Sequence, residues 1–247
     1  MVQYNFRAVN NKLSTNNSQL LSPDKYGGRI GKPVRSWHIF TLGLYVKEDI
    51  GIKFRTVFLN SPVPDDPRKD LLTEWGKRFA RLGLAPLSMG NLSFRTEKGF
   101  VITATGIGLE TVDKDNLTEV VRVGKRRDLP VIYVNGRVVP SRESLLHCEI
   151  YKVRPGVNVV FHLHDQLVVE HADGLNLLCT EGEQPPGSEE LAREVSRLLK
   201  LAKDAGYLVI RGHGIISMGE TLEDTGRMVV DMNRMARDYV AGKMTEG

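Results

Sequence analysis

A proline-rich segment at residues 60–67 constrains the fold of this chain most strongly, because two different sequence patterns meet there. Prolines at positions 62, 64 and 67 fit neither the interior of a helix nor a central strand. After this segment, short apolar runs alternate with amphipathic segments at helical spacing, which predicts an α/β or α+β domain. The runs predicted as strands are residues 100–104, 131–134, 157–163 and 207–210.

Capping residues predict where the helices of this domain begin. Each candidate precedes apolar residues at helical spacing, and the candidates are Asp66 with Pro67, Ser141, Ser188 and Thr221. The helix capped by Ser141 is expected to end near Val153. We therefore expect one domain over residues 67–247, behind an N-terminal extension of residues 1–66. Within the extension, the alternating segments 36–46 and 52–59 predict a β-hairpin.

Composition argues against several classes of protein. Hydrophobic residues make up 41% and charged residues 26% of the chain, which is typical of a globular protein. No apolar run approaches the roughly 18 residues that span a bilayer, and no apolar signal segment follows Met1. We therefore expect a cytoplasmic protein without membrane contact. The two cysteines form no CxxC pair, which argues against a disulfide framework.

The charge balance favours anionic ligands without identifying one. The formal net charge is +4, and the main basic cluster, residues 125–127, has no aromatic or glycine-rich residues interleaved with it. Such a cluster is more typical of a solvated loop than of a nucleic-acid interface. We therefore expect no nucleic-acid partner.

Two histidines in an apolar run are the first candidates for chemistry. His162 and His164 lie two residues apart, so in a strand both imidazoles project from one face, while Phe161 and Leu163 face the other way. Two imidazoles that converge at a strand end are typical ligands of a divalent metal ion. The alternative is that one or both histidines only form hydrogen bonds there, and this pair by itself leaves both interpretations open.

His213 is the third candidate ligand. It follows the apolar run 207–210, and glycines at positions 212 and 214 let the backbone turn tightly around it. A Gly-His-Gly sequence also occurs in ordinary turns, so this position by itself is not specific. Together, His162, His164 and His213 match the three protein ligands and the open position of a catalytic metal site.

The start of the helix predicted at Ser141 combines an acidic residue with candidate anion ligands. Glu143 falls in the first turn, where the helix dipole alone stabilises a carboxylate. Free backbone N–H groups at the same helix start, with Ser141 and Arg142, could instead bind an anion. Two glycine-containing turns, residues 89–95 and 102–108, could also present N–H groups to an anion, although turn chemistry explains each of them.

Taken together, these motifs resemble the class II aldolase/adducin family, and in particular its L-fuculose-phosphate aldolases. The resemblance covers about residues 70–242 and consists of these motifs in the family's order: Gly-Asn-Leu-Ser-Phe-Arg, Ile-Thr-Ala-Thr-Gly, Pro-Ser-Arg-Glu-Ser-Leu-Leu-His, His-Leu-His and Gly-His-Gly. It implies a three-layer α/β/α sandwich with a mainly antiparallel central sheet. It also implies a homotetramer with active sites at subunit interfaces.

The resemblance implies roles for individual residues. A Zn2+ ion would be held by His162, His164 and His213, although a three-imidazole site also accepts other divalent transition metals. Glu143 matches the acid/base of fuculose-phosphate aldolases. The implied reaction is retro-aldol cleavage of a phosphorylated ketose, in which the metal stabilises an enediolate and the carboxyl group transfers a proton. The residues implied in binding the sugar phosphate are Asn91, Thr105, Gly106 and Ser141, with Arg142 beside them.

The chain departs from the family pattern at positions that bear on the substrate. Arg142 replaces the second of two serines, Asp165 replaces a small hydroxyl residue, and residues 175–186 contain no tyrosine of the kind that fuculose-type aldolases supply from a neighbouring subunit. Alternatives therefore stay open. They are a dehydratase of the methylthioribulose-phosphate type, which residues 143–147 resemble, a decarboxylase in which Arg142 binds a carboxylate, and a non-catalytic adducin-like binding module, which would lack the three histidines.

Overall fold

The computed structural model describes residues 45–47, 54–127 and 129–245. Strand β1, Tyr45–Lys47, pairs antiparallel with β2, Arg55–Phe58. The rest of the first predicted hairpin strand lies outside the described residues. β2 also pairs with β6, Leu129–Asn135, so the described end of the predicted extension belongs to the same sheet as the later chain. A domain boundary between residues 66 and 67 stays a prediction.

One sheet contains all nine strands of the described residues. The other strands are β3 (Asn91–Arg95), β4 (Phe100–Thr103), β5 (Leu117–Arg126), β7 (Val159–Leu163), β8 (Tyr207–Ile210) and β9 (Gly214–Gly219). Their spatial order is β1-β2-β6-β5-β4-β3-β7-β9-β8. The sheet is mixed, since β2 and β6 run parallel while β3, β7 and β9 are antiparallel neighbours. This corrects the expectation of a mainly antiparallel sheet, because a strand from before the proline-rich segment joins the edge beside β6 and runs in its direction.

Helices and sheet enclose two groups of buried hydrophobic residues, as expected for an α/β fold. The helices in the described residues are α1 (Arg68–Arg81), α2 (Ser144–Val153), α3 (Gln166–His171), α4 (Glu189–Leu201) and α5 (Leu222–Thr245). The first group contains side chains of α1, α3 and α5 together with Phe161 of β7. The second contains side chains of α2 and α4 together with Val160 of the same strand. Consecutive strand residues face opposite sides, so the groups lie on opposite faces of the sheet. Among the described residues, no helix is long and apolar enough to cross a membrane.

The caps of α4 and α5 agree with the sequence, whereas the start of α2 does not. Ser188 Oγ accepts a hydrogen bond from Leu191 N at 3.1 Å, and Thr221 Oγ1 accepts one from Asp224 N at 3.1 Å. Helix α2 ends at Val153 as expected but begins at Ser144, not just after Ser141. Residues 141–144 form a separate turn, closed by a 3.0 Å bond from the N–H of residue 144 to the carbonyl of residue 141. The acidic residue 143 therefore occupies the N-cap position itself.

Candidate metal centre and active site

His162 lies on β7, between β3 and β9, and its side chain is fully buried. The Phe161 and Leu163 side chains pack in the hydrophobic group on the opposite face. His162 Nδ1 lies 3.1 Å from the carbonyl oxygen of Ile215 on β9. Because a carbonyl oxygen only accepts, Nδ1 carries a proton in this contact, and Nε2 is the ring nitrogen that can bind a metal.

The other two histidines lie just beyond the ends of neighbouring strands in the same part of the sheet. His164 directly follows β7, and its backbone N–H donates to Leu84 O at 2.9 Å. His213 lies in the turn between β8 and β9, and its N–H donates to Ile210 O at 3.1 Å. The ring centroids of the three histidines are 4.8 to 4.9 Å apart in each pair, and their candidate ligand atoms lie within 4.8 Å of one another. The fold thus brings together His162, His164 and His213.

Two glycines around His213 have separate structural reasons. Gly212 has a φ of 66°, a left-handed conformation that favours glycine. At Gly214, an added Cβ would lie 2.4 Å from Leu163 O and 3.0 Å from His162 Cε1. The absence of a side chain at position 214 therefore lets β9 approach β7 closely beside the buried imidazole.

The three histidines fit a divalent metal ion. Burial, together with positive charge on His162, lowers the pKa of His164 to about 3 and that of His213 to about 4. Both rings are therefore neutral near pH 7, which is the state that binds metals. His162 Nε2 and His164 Nε2 lie 3.2 Å apart, a distance at which two lone pairs repel unless a proton or cation lies between them. This donor set is typical of a transition-metal site.

Glu143 faces this group of imidazoles as a buried carboxylate. Its Oε2 lies 2.9 Å from His162 Nε2, and its Oε1 lies 3.5 Å from His213 Nε2. Asn91 Nδ2 donates to Oε2 at 2.8 Å. Burial by itself raises the pKa of the Glu143 carboxyl, but the adjacent imidazoles of His162 and His213 and the hydrogen bond from Asn91 outweigh burial and lower that pKa. Glu143 is therefore ionised at neutral pH.

Several residues predicted to bind an anion lie next to one another. The Ser141 N–H donates to Thr103 O at 3.0 Å, which places Ser141 beside the end of β4 and hence beside Thr105 and Gly106. Gly106 is exposed and has a φ of 73°, and the Arg142 side chain is exposed. Asn91, by contrast, already contacts Glu143. The roles of these residues in phosphate binding stay predictions.

A buried polar row next to Glu143 is not predicted by the sequence patterns. Ser93 Oγ on β3 lies 2.7 Å from His147 Nδ1 and 2.7 Å from Tyr151 Oη. All three side chains are buried. Residues 143, 147 and 151 follow one another at four-residue spacing, so they share one face of α2. The four-residue spacing of the polar residues 143, 147 and 151 was the signal that could have identified the row.

Comparison with known proteins identifies the family. A family model described as Class II Aldolase and Adducin N-terminal domain matches residues 70–240. The chain belongs to this family. A class II aldolase-family structure, the crystal structure of l-fuculose-1-phosphate aldolase from Thermus thermophilus, shares the fold with a TM-score of 0.59 and 22% identity, and the match covers 72% of this chain and 95% of that one.

Two curated relatives in this class II aldolase family are named for different reactions. A methylthioribulose-1-phosphate dehydratase from Gluconacetobacter diazotrophicus is 29% identical over 172 residues, which cover 60% of this chain and 80% of that protein. A 5-methylthioribulose-1-phosphate/5-deoxyribulose-1-phosphate aldolase from Escherichia coli is 29% identical over 173 residues, which cover 64% of this chain and 76% of that protein. Both names contain a phosphorylated sugar. Because the chain is equally identical to the two proteins, sequence identity does not distinguish between the two reactions.

Proposed function

We propose that this class II aldolase family member is a zinc-dependent lyase that cleaves a phosphorylated ketose by a retro-aldol reaction. The observation that carries this proposal is the position of the Glu143 carboxylate, 2.9 Å from His162 Nε2 and 3.5 Å from His213 Nε2. A carbon–carbon lyase needs a group that moves a proton beside a centre that stabilises negative charge. Glu143 and the three histidines are suited to these two tasks.

The proposed reaction of a ketose 1-phosphate involves one proton transfer at each of two atoms. The C4 hydroxyl loses its proton, the C3–C4 bond breaks, and the electron pair moves onto the C2 carbonyl to give an enediolate, which is then protonated at C3. Glu143, being ionised, accepts the hydroxyl proton and returns it to C3. When bound, a divalent ion supplies positive charge that stabilises the negative charge developing on the sugar oxygens.

Zinc is the metal we propose, because three imidazoles with an open fourth position are typical of catalytic zinc sites. The hydrogen bond between His162 Nδ1 and Ile215 O supports this assignment, since such a contact fixes the ring with Nε2 facing the metal. Elemental analysis of the purified protein tests it. About one zinc per chain is expected, and another tightly held metal would replace zinc in the proposal.

The substrate phosphate is proposed to bind where β4 ends beside Ser141. The backbone N–H of the exposed Gly106 and the Ser141 hydroxyl are donors of the kind that bind phosphate, and the exposed Arg142 adds a positive charge. Family membership and the two hydrophobic groups on opposite sheet faces also support a three-layer sandwich. A homotetramer in the cytoplasm is part of the same proposal, and native mass spectrometry tests the number of subunits.

A dehydratase is the second candidate, and the observation that favours it is the 29% identity to the methylthioribulose-1-phosphate dehydratase. Loss of water from the same sugar also needs a proton acceptor beside a charge-stabilising centre, so Glu143 would again move the proton. The geometry of the histidines fits both reactions.

One experiment separates these candidates. Zinc-loaded protein is incubated with L-fuculose 1-phosphate and, separately, with 5-methylthioribulose 1-phosphate. Dihydroxyacetone phosphate is measured by coupling to glycerol-3-phosphate dehydrogenase, and products are examined by mass spectrometry. Release of dihydroxyacetone phosphate is expected. Loss of one water without that product would establish the dehydratase, and no turnover of either sugar by fully loaded protein would refute the lyase proposal for these substrates.

A further inference from the structure

Helix α2 and strand β3 run side by side and hold buried polar residues at matching levels. At the level nearest the histidines, Asn91 Nδ2 contacts Glu143 Oε2 at 2.8 Å. At the next level, Ser93 Oγ contacts His147 Nδ1 at 2.7 Å, and Tyr151 Oη contacts the same Ser93 oxygen at 2.7 Å. All five side chains are buried, and Ser93 and His147 are fully so. A buried polar row of this kind is costly unless its donors and acceptors match.

The direction of the hydrogen bonds follows from counting donors. Burial raises the pKa of Tyr151, so its hydroxyl keeps its proton, and Ser93 Oγ is its hydrogen-bonding partner. Tyr151 therefore donates to Ser93. Ser93 in turn has one proton to donate, either to His147 Nδ1 at 2.7 Å or to Val160 O at 3.4 Å. The shorter contact favours His147, which makes Nδ1 an acceptor and leaves the ring proton on Nε2.

The surroundings of His147 Nε2 support the same assignment. This nitrogen is buried and has no hydrogen-bond partner in the described part of the chain, and the same holds for Asn91 Oδ1 and Glu143 Oε1. His147 lies one helical turn after Glu143, and its backbone N–H donates to the Glu143 carbonyl at 3.2 Å. A protonated Nε2 would complement these two acceptors through one bridging water, whereas a lone pair there would add a third unpartnered acceptor to the buried row.

We propose that Tyr151, Ser93 and His147 form a hydrogen-bond relay that fixes His147 in its Nε2–H tautomer and thereby orients the Glu143 carboxylate toward the three histidines. The inference rests on the proposed function, because it concerns how Glu143 is held for proton transfer. His147 acts through Glu143 and is a positioning residue. Burial, together with positive charge on His162, lowers the pKa of His147 to about 3, so the ring is neutral and its tautomer is set by Ser93.

Two variants of His147 separate positioning from simple packing. The amide nitrogen of glutamine reaches about as far as Nε2, whereas that of asparagine reaches about as far as Nδ1. His147→Gln is therefore expected to keep kcat within about tenfold of the wild type, and His147→Asn to lower kcat by about 10²-fold with little change in KM, the loss that a misplaced catalytic group causes. Zinc content is expected to stay unchanged in both. Equal kcat values in the two variants would overturn the inference.

A measurement that needs no activity tests the tautomer itself. Protein labelled with ¹⁵N-histidine is compared with His147→Gln by nuclear magnetic resonance to assign the His147 ring. The Nε2 signal is expected in the range of protonated nitrogens and the Nδ1 signal in the range of unprotonated ones. Ser93→Ala is expected to release this preference. A protonated Nδ1 in the wild type would refute the relay. If the relay is present but no sugar phosphate is turned over, the proposed function fails instead.

Discussion

Replacing Gly214 with alanine tests how closely the sheet must pack to place the candidate metal ligands. The new methyl group would lie 2.4 Å from Leu163 O and 3.0 Å from His162 Cε1. Leu163 O is a backbone atom, so β9 must move away from β7 beside the buried histidine. Overpacking a buried position costs about 1–3 kcal/mol. At roughly 2–4 °C per kcal/mol for a domain of this size, a cost of about 2 kcal/mol lowers Tm by about 4–8 °C.

Gly156→Ala is the matched control for this change. Gly156 has no heavy atom within 4 Å of an added Cβ, and its φ lies outside the left-handed region. Thermal unfolding of both variants is followed by calorimetry, and zinc per chain is measured by elemental analysis after dialysis. We expect the control to match the wild type in both measurements, and Gly214→Ala to lose stability and retain less zinc. An unchanged Tm for Gly214→Ala would refute the close approach of the two strands at this point.

Further predictions concern the carboxylate and the histidines. Glu143→Gln is expected to lower kcat by at least about 10²-fold without loss of zinc, whereas Glu149→Gln, on the same helix, leaves both unchanged. His213→Ala is expected to lose zinc on dialysis, and His171→Ala, which alters a histidine outside the ligand group, to retain it; zinc bound equally by both would contradict the site. In metal-free protein, His147 takes up a proton near pH 6.5 when the chain is unfolded, whereas in the folded protein burial lowers its pKa to about 3. The free energy of unfolding therefore falls as the pH drops from about 6.5 to about 3. Urea unfolding at several pH values measures this fall. In His147→Gln, the free energy of unfolding is expected to fall less steeply over the same pH range, by about 1.4 kcal/mol per pH unit.

The three candidate metal ligands could be identified from the sequence because their signals are local. His162 and His164 have two-residue spacing within an apolar run, and that spacing alone places both rings on one face of a strand. His213 lies three residues after the end of another apolar run, β8, whose ends the sequence also predicts correctly. What the sequence alone could not supply is the distance between these two chain segments. Strand β9 supplies it by pairing with both β7 and β8.

Strand β3 was missed because its polar residues face inward. Residues 91–95 read Asn-Leu-Ser-Phe-Arg, which resembles a turn when Asn91 and Ser93 are assumed to be exposed. Both are buried, and a hydrogen-bonding partner compensates each of them: Asn91 contacts the N-cap residue of α2, and Ser93 contacts His147 within the helix. The partner of Asn91 is 52 residues away in sequence. A pairwise contact over that distance has no local signal, so neither the strand nor the environment of Glu143 could be derived from residue patterns.

The two ends of α2 show why β3 controls the position of Glu143. Asn91 contacts Glu143 at the N-terminal end of the helix, while the Arg95 guanidinium donates to Tyr151 O at 2.8 Å and Arg154 O at 3.1 Å at its C-terminal end. Unpaired carbonyls at a helix end need such donors. Because β3 binds both ends, and Asn91 is the register partner of His162 on β7, the carboxylate and the imidazoles are fixed to adjacent strands of one sheet. The distance between the Glu143 carboxylate and the three histidines is therefore set by strand pairing, which is more rigid than a loop, and the proposed relay through Ser93 acts within that frame.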